Sequence, residues 1–573
     1  MATRLSVSLG QFSDKGRKAL NQDFHGVYLP KEPQLSAKGI ALALADGISS
    51  SDVSQIASET AVKGFLEDYF CTSDAWSVKK SAQRVLVATN AWLHAQTQRS
   101  QYRFDRDRGY VCTFSALVLK ACTAYLFHVG DTRIYRWRAG QLEQLTQDHR
   151  IWIAQDKSYL GRALGIDSQL EIDYQALPVE PGDIFLLATD GVYEHASDAF
   201  IGATLDALGD DLDGAARRIV MQAYDQGSSD NLTLQILRVD SLPAVQVDEL
   251  HRQVQALPLP PPLDARKLID GYRILRTLHA SSRSHVYLAL DEASGQTLVL
   301  KTPSIDRQDD AAYLERFLAE EWIARRLDSA HVLKALPLTR QRSYLYSVSE
   351  YIEGQTLSQW MVDHPHPELE TVRAMVEQIA RGLQAFHRLE MLHQDLRPDN
   401  ILIDRNGTLK IIDFGSTRVA GLVEMAGSSA DCELLGTAQY SAPEYFLGES
   451  GTPRSDYFSL GVIAYQMLSG QLPYGAEVAR TRTQAAQQRL DYQPLRDARR
   501  ALPAWIDDVL KKAVHVNPLK RYGELSEFVF ELRQPNQAFL NKTRAPLLER
   551  NPLLFWKGLC VVLAAVIVVL LAR

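Results

Sequence analysis

The run Ala256-Leu257-Pro258-Leu259-Pro260-Pro261-Pro262-Leu263 constrains this chain more than any other feature. Its prolines fix φ and remove backbone donors, so the segment favours extended polyproline geometry and breaks helix and sheet alike. At 573 residues the chain is too long for one ordinary core, and length alone gives a prior of about three to four domains. The proline run divides it into a first part, 6–240, and a second part, 268–533, with a linker over 241–267. Each part is roughly 240–270 residues, enough for a substantial core. No internal repeat relates them, and their motifs differ.

Composition is that of a globular protein, with 46% apolar and 23% charged residues, which argues against extensive disorder. A net charge of −7 gives no support for a nucleic-acid partner, which calls for a clustered basic face. The five cysteines (Cys71, Cys112, Cys122, Cys432 and Cys560) are scattered without metal-ligand spacing, so reduced thiols in a reducing compartment are expected.

Met1-Ala2-Thr3-Arg4 leads into a polar segment with no apolar signal-peptide core. The other end differs. Leu553-Leu554-Phe555-Trp556 precedes Lys557, and Gly558 to Ala572 is apolar throughout. Roughly 20 such residues cross a ~30 Å hydrocarbon layer as a helix. Lys557 can extend its ammonium to the interface, and Trp556 suits the headgroup belt. Lys542, Arg544, Arg550 and Lys557 precede the span and Arg573 follows it. The positive-inside bias then keeps the long N-terminal part in the cytoplasm. The expectation is a single transmembrane tail anchor over 552–573, joined to the second part by a polar juxtamembrane tether over 534–551.

In the first part, several short apolar runs each present an aspartate at one end. Ile40 to Ala45 ends in Asp46-Gly47, and Ile184 to Ala188 ends in Thr189-Asp190-Gly191. Tyr125 to Val129 runs into Gly130-Asp131, and Asp230-Asn231 opens Leu232 to Leu237. Runs of this length read as buried strands. One Asp-Gly is usually only a turn, but repetition within one part points to a carboxylate cluster. Hard carboxylate oxygens without His or Cys suit Mg²⁺ or Mn²⁺ rather than zinc.

With these motifs in order, residues from about Ser6 to Val239 resemble the type 2C metal-dependent protein phosphatases. The matching motifs are Arg17-Lys18-Ala19-Leu20-Asn21-Gln22-Asp23, Ala45-Asp46-Gly47 and Val129-Gly130-Asp131-Thr132-Arg133-Ile134-Tyr135. Thr146-Gln147-Asp148-His149, Arg162-Ala163-Leu164-Gly165, Ala188-Thr189-Asp190-Gly191 and Ser229-Asp230-Asn231 follow. The resemblance implies an α/β/β/α sandwich with a binuclear metal site at one edge, loaded with two to three Mn²⁺ or Mg²⁺ ions. It implies that Asp46 bridges two metals, that Asp190 and Asp230 complete one, and that Asp23 and the Gly47 carbonyl help hold the other. Asp131 and Glu194 match positions that bind a third metal in family members, and Arg17 or Lys18 would bind the substrate phosphate. Ile48 stands where many eukaryotic members have a histidine proposed as general acid, and Ser49-Ser50 where glycines are usual. Neither change removes a metal ligand.

In the second part, His393-Gln394-Asp395-Leu396-Arg397-Pro398-Asp399-Asn400 is followed one hairpin later by Asp413-Phe414-Gly415. Ile401-Leu402-Ile403 and Leu409-Lys410-Ile411-Ile412 read as strands joined around Asn406-Gly407. Such a pair brings Asn400 and Asp413 together at its open end. Residues from about Leu268 to Arg533 resemble eukaryotic-type serine/threonine protein kinases, of bilobal fold. The resemblance implies that Lys301 pairs the ATP phosphates and that Glu320 holds Lys301, with Glu321 in reserve. Glu320 lies in a helical pattern over Asp309 to Leu327. Glu350-Tyr351-Ile352 matches the hinge that binds adenine, with Ser349 as gatekeeper. Asp395 would be the base or orient the substrate hydroxyl, while Asn400 and Asp413 would hold Mg²⁺. Arg397 replaces the usual lysine, and a fork in place of a point charge is not a neutral swap. Gly436 to Glu444 resembles the substrate loop of kinases acting on serine and threonine, and Asp456 and Arg521 match structural positions of the large lobe.

The glycine-rich loop is where the family pattern fails. Its three glycines align with His279, Ser281 and Ser284. Glycine lets backbone amides approach phosphates closely, so weaker nucleotide handling is expected. Gln394 replaces the arginine that usually pairs with a phosphorylated activation loop, which implies activity without strong dependence on phosphorylation of Thr417, Ser428 or Ser429. The whole is read as a multidomain α+β chain resembling bacterial bifunctional kinase/phosphatase proteins, anchored in the inner membrane with both domains facing the cytoplasm. Its partners would be proteins phosphorylated on serine or threonine. The alternative is an active phosphatase governed by a nucleotide-binding pseudokinase or scaffold.

Overall fold

The computed structural model describes residues 4–154, 157–243, 257–281, 284–308, 310–337, 340–426, 439–495, 502–542 and 562–563. The sequence-predicted tail anchor therefore lies outside the described residues except for Val562 and Leu563, as do Gly436 to Ala438, Ser428 and Ser429. Among the described residues no helix is long and apolar enough to cross a membrane.

Alternation within single strands builds the first part. Its strands are Ser6–Asp14 (β1), Phe24–Tyr28 (β2), Ile40–Ala45 (β3), Phe114–Lys120 (β4), Thr123–Val129 (β5), Arg133–Arg138 (β6) and Gln141–Gln144 (β7). Arg150–Ala154 (β8), Lys157–Leu160 (β9), Asp173–Pro178 (β10), Ile184–Ala188 (β11) and Leu232–Ser241 (β12) follow. Two sheets form, in the orders β1-β12-β11-β6-β7 and β10-β5-β4-β3-β2, and β8 pairs with β9 in a separate hairpin. In β3, Ile40, Leu42 and Leu44 turn inward to meet Phe185 and Leu187 of the facing sheet. Ala41, Ala43 and Ala45 turn outward against the helices Ser54–Cys71 (α1) and Val78–Arg99 (α2). On the opposite outer face, Leu186, Leu234 and Ile236 pack against Leu212–Asp225 (α3). Small residues outside and large ones inside thus give a helix–sheet–sheet–helix sandwich. Burying each large apolar side chain contributes about 1.5–3 kcal/mol.

The second part opens with a five-stranded sheet, β13-β14-β15-β16-β17, over Leu268–Ile269, Tyr272–Ala280, Ser284–Asp291, Thr297–Pro303 and Ser347–Glu350. The helix Ala311–Arg326 (α4) packs beside it. A larger, mostly helical lobe is built on Leu369–Arg388 (α5) and Pro453–Ser469 (α7), with the short helix Ala420–Ala426 (α6) between them in sequence. The expected hairpin is present as Ile401–Asp404 paired with Leu409–Ile411. From Leu257 to Leu263 the proline run has neither helix nor strand, and it lies against the smaller lobe rather than free of it. Leu345 N donates to Pro258 O at 2.9 Å, Leu257 and Leu259 pack beside Leu314, Phe317 and Leu318, and Leu263 is buried beside Tyr287.

The two parts meet at one face. Ala75, between α1 and α2, is fully buried in the core of the larger lobe. Gly421 N donates to Ala75 O at 3.1 Å, and a Cβ on Gly421 would stand 2.3 Å from Asp74 O, so only glycine allows the approach. Ser77 N and its hydroxyl both donate to Glu390 Oε2, at 2.7 and 2.8 Å, and Trp76 Nε1 donates to Arg388 O at 2.9 Å.

Candidate active sites

Strand register assembles the first site. Phe24 pairs with Ala45, which brings Asp23 beside Asp46. Ala188 pairs with Leu234 on one side and Arg133 on the other, which brings Asp190, Asp230 and Asp131 to the same edge. Asp190 opens a one-turn helix, Asp190–Tyr193, and Gly191 within it lies directly against Asp230 and Asn231. A Cβ on Gly191 would meet Asn231 O at 2.1 Å, so glycine is required there.

These carboxylates are crowded and largely buried. Burial, then the charges of Asp23, Asp190, Asp131 and Asp230, push Asp46 well above the usual carboxylate range. Burial raises Asp23 to about 6 although Thr233 and Thr189 donate to its Oδ2. Burial, then Asp131, Asp230 and Glu194, raise Asp190 to about 7. Asp23 Oδ1 and Asp190 Oδ1 are buried with no hydrogen-bond partner. Unpartnered oxygens in a like-charged, oxygen-only cluster fit hard divalent cations.

Two cations of the chain itself reach into this edge. Lys18 Nζ contacts Asp230 Oδ1 and donates to Ser49 Oγ at 2.6 Å. Arg150 donates to Asp131, Asp190 and Glu194 at 2.7, 2.9 and 2.7 Å. Among the described residues no three His, Cys, Asp or Glu side chains stand in ready ligand geometry around one point. Arg17, predicted as one candidate for the phosphate, is turned away. It donates to the carbonyls of Ser228 and Tyr224 at 2.8 and 3.2 Å, its guanidinium over the Tyr224 ring. Arg150 was not singled out by sequence reasoning. A lone arginine opening a strand reads as a solvated charge, and its only signal is that it directly follows Thr146-Gln147-Asp148-His149.

The second site lies between the lobes. Lys301 Nζ donates to Glu320 Oε1 and Oε2 at 2.8 and 2.7 Å. Burial works against the Lys301 charge, yet Glu320 and Asp413 hold its pKa above the ordinary lysine value. Glu321 instead binds Arg325 and Arg342, at 2.5 and 2.8 Å, so Glu320 is the partner. The hairpin carries the two polar ends together: Ile412 N donates to Asn400 O at 3.0 Å. Asn400 Nδ2 in turn donates to Asp395 O and Oδ2 at 2.9 and 3.2 Å. Arg397 Nε lies 3.8 Å from Asp395 Oδ2. Asp413 Oδ1 accepts from Gly415 N at 3.0 Å. Burial opposes the Asp413 charge, but Lys301 and Gly415 N hold its pKa below the usual range. Phe414 is buried in the core of the larger lobe, 5.5 Å from Phe386.

Asp456 fixes the turn at His393-Gln394 from beneath. It accepts from His393 N, Gln394 N and His387 Nε2 at 3.0, 3.1 and 2.8 Å. Gln394 takes φ 65, a left-handed backbone that this double anchor maintains. The glycine-free loop closes on itself: Ser281 N donates to Ser284 O at 3.0 Å and Ser284 N to Ser281 Oγ at 3.1 Å. His279 pairs with Val286 in the same hairpin. At the segment predicted as the hinge, Glu350 N donates to Lys334 O at 3.0 Å and its carboxylate takes Lys410 at 2.7 Å, while Ile352 follows in the connection to the larger lobe.

Comparison with known proteins agrees with this division. A family described as Protein phosphatase 2C matches residues 13–220, and one described as Protein kinase domain matches 272–531. The serine/threonine-protein kinase PrkC of Bacillus subtilis is 26% identical over 291 residues, covering 50% of this chain and 44% of its own length. PknA of Corynebacterium glutamicum is 31% identical over 208 residues, covering 35% of this chain and 44% of its own. This chain thus spans less than half of either relative. The solved structure of the Mycobacterium tuberculosis serine/threonine phosphatase PstP/Ppp is 24% identical, with TM-score 0.35, covering 41% of this chain and 99% of that one. The chain therefore joins a protein phosphatase 2C domain to a protein kinase domain, and the kinases it is similar to are bacterial serine/threonine kinases.

Proposed function

We propose that the chain is a membrane-anchored enzyme of reversible protein phosphorylation, transferring phosphate from ATP to serine or threonine and hydrolysing such phosphoesters. The observation that carries this reading is that both sets of charged groups are assembled inside their own domains. Lys301 is closed on Glu320 with Asp413 beside it, and Asn400 is closed on Asp395. The aspartates of the first domain meet at one sheet edge.

In the kinase half, Lys301 would hold the ATP phosphates and Glu320 would hold Lys301. Glu350 to Ile352 would present backbone groups to adenine, and the loop of His279, Ser281 and Ser284 would cover the phosphates. Asp395 would orient the acceptor hydroxyl, Asn400 and Asp413 would hold Mg²⁺, and Arg397 would place positive charge near the transferred group. In the phosphatase half, Asp23, Asp46, Gly47, Asp190 and Asp230 would hold Mn²⁺ or Mg²⁺. A metal pair, when bound, supplies a water of lowered pKa. Lys18, seated on Asp230, is the residue proposed to meet the substrate phosphate.

A second reading, a pseudokinase governing the phosphatase, is favoured by the glycine-free loop that closes through Ser281 and Ser284. One comparison decides between them. The purified chain is given ATP, divalent metal and a generic protein acceptor. Asp190→Asn is expected to accumulate phosphoserine or phosphothreonine that the wild type erases, and adding Asp395→Asn to abolish it. An Asp190→Asn protein that stays unlabelled makes the pseudokinase reading the correct one. For the anchor, the full chain is expected to resist alkaline extraction from bacterial membranes, and a chain ending at Asn551 to be released.

A further inference from the structure

We propose that Arg150 is a built-in cation of the phosphatase centre, taking the position beside Asp131, Asp190 and Glu194 that a third divalent ion would take, so that this chain loads two ions there rather than three. The proposal rests on the reading of the first domain as a two-metal phosphatase.

All three nitrogens of the guanidinium are committed. Nε donates to Asp131 Oδ2 at 2.7 Å, Nη1 to Glu194 Oε1 at 2.7 Å, and Nη2 to Asp190 Oδ2 at 2.9 Å. Tyr193, whose hydroxyl lies 3.4 Å from Nη2, donates to Asp131 O at 2.9 Å and closes the ring of contacts. Arg150 is 16% exposed, Asp131 12% and Asp190 24%, so the bonds to these two aspartates are largely shielded from water, while Glu194, at 45%, forms the outer edge.

The backbone beneath Arg150 is fixed, which separates it from a surface arginine that happens to fall on an acidic patch. His149 N donates to Gly130 O at 2.8 Å, while Gly130 N donates back to His149 Nδ1 at 3.0 Å. Gly161 N donates to His149 O at 2.6 Å, and the other ring nitrogen of His149 lies 2.9 Å from Asp173. His149 is thereby tied to the end of β5, immediately beside Asp131. Arg150, the next residue, opens the β8–β9 hairpin opposite Leu160.

The chemistry of the two cations makes them exclusive. A Mg²⁺-sized ion needs oxygen lone pairs converging at about 2.1 Å, whereas a guanidinium engages the same lone pairs through a planar fork of donors. Placing both among one set of carboxylates sets like charges side by side. Asp190 shows how the oxygens divide: Oδ2 is taken by Arg150, while Oδ1 is buried and unpartnered. Asp23 Oδ1 is likewise unpartnered. One oxygen of each of Asp131, Asp190 and Glu194 is thus held by Arg150, and the unpartnered Oδ1 atoms of Asp190 and Asp23 are left to the proposed two-metal cluster.

The test is a count of bound Mn²⁺ per chain, by equilibrium dialysis with elemental analysis and by the spin-resonance signal of free Mn²⁺. It uses the full chain without ATP, carrying Asp413→Asn so that the kinase cleft contributes no ion. In that background two ions are expected per chain, and Arg150→Ala is expected to gain one more. Arg150→Lys, which keeps the charge, is expected to stay at two. Arg150→Gln replaces Arg150→Ala should the latter not fold, as judged by its thermal transition. Three ions in the protein with Arg150 intact, or two in both it and Arg150→Ala, would overturn the proposal. Binding of no Mn²⁺ at all would instead remove the two-metal reading on which it stands.

Discussion

Lys120, at the end of β4 in the phosphatase domain, lies 3.2 Å from Glu424, in the helix that follows Asp413-Phe414-Gly415 of the kinase domain. Lys120 is 1% exposed and Glu424 16%. Lys120 also donates to Gly421 O at 3.0 Å, and the Glu424 carboxylate accepts from Val78 N, the first amide of α2, at 3.0 Å. A helix N-terminus favours such an anion. Burial raises the pKa of Glu424, and Lys120 opposes that shift. One domain therefore grips the helix that follows Asp413-Phe414-Gly415 in the other through a shielded ion pair.

Removing one partner of a shielded pair strands the other. Lys120→Met is expected to destabilise the full chain by about 3 kcal/mol, read by urea denaturation. Lys120→Met with Glu424→Gln should lose less than the two single changes summed, by about 1 kcal/mol or more. Strict additivity would mean that the two charges do not feel each other. Because α6 is pulled with them, the rate of autophosphorylation is expected to change in step with stability.

A second ion pair is buried still deeper, within the kinase domain alone. Arg521 donates to Glu444 in a fork, Nη1 to Oε1 at 2.8 Å and Nη2 to Oε2 at 2.7 Å, and the side chains are 0% and 4% exposed. Ser455 Oγ donates to the same carboxylate at 2.6 Å. Arg521→Met leaves that anion uncompensated and is expected to cost about 3–5 kcal/mol. Arg521→Lys should recover only part of it, since a point charge cannot fill both arms of the fork. Equal midpoints for Lys and Arg would count against the bidentate argument.

Glu320→Gln tests the site rather than the fold. Lys301 would lose its ionic partner while remaining enclosed, and its position over the nucleotide phosphates would relax. A loss of about 3 kcal/mol in transition-state binding corresponds to roughly 10²-fold in phosphotransfer. Hydrolysis of p-nitrophenyl phosphate by the same protein is expected to be unchanged, because the Glu320 carboxylate bonds to Lys301 of its own domain. A kinase rate within about three-fold of wild type would remove the pair from the mechanism.

Much of this was legible in the sequence wherever one element carries its own signal. Ile40 to Ala45 and Ile184 to Ala188 are strands at the residues expected, since an apolar run stopped by an acidic turn leaves little choice. The helix expected over Asp309 to Leu327 spans Ala311–Arg326. Within it Leu314 and Leu318 pack together, and Trp322 packs against the core of the larger lobe with the guanidinium carbon of Arg326 3.6 Å from its ring centroid. What the sequence concealed were charges whose partners are remote. Lys120 and Glu424 are 304 residues apart, and each alone reads as a surface charge. Arg150 reads so too, because only folding brings Asp131, Asp190 and Glu194 around it. The serine loop is a different case: the missing glycines were visible, but not that Ser281 and Ser284 bond to each other.

Lys38 gives a prediction in pH. Its side chain lies at the base of α2, donating to Thr72 Oγ1, Ser73 O and Ser81 Oγ at 2.7, 2.7 and 3.1 Å. Lys38 is only 1% exposed. Burial lowers its pKa from 10.5 to about 8, with Asp74 acting against the shift and Lys120 with it. Below pH 8 both folded and unfolded chains hold the proton, and the folded state bears the whole cost of the buried charge. Between 8 and 10.5 the unfolded chain binds a proton that the folded chain has released, so stability rises with pH across that window. The rise amounts to about 3 kcal/mol. Other groups titrate in the same range, so the quantity to follow is the difference between wild type and Lys38→Met in denaturant unfolding. That difference is expected to move in favour of wild type from about pH 7 to about pH 10.5. A flat difference would show that the three acceptors keep Lys38 charged at its ordinary pKa.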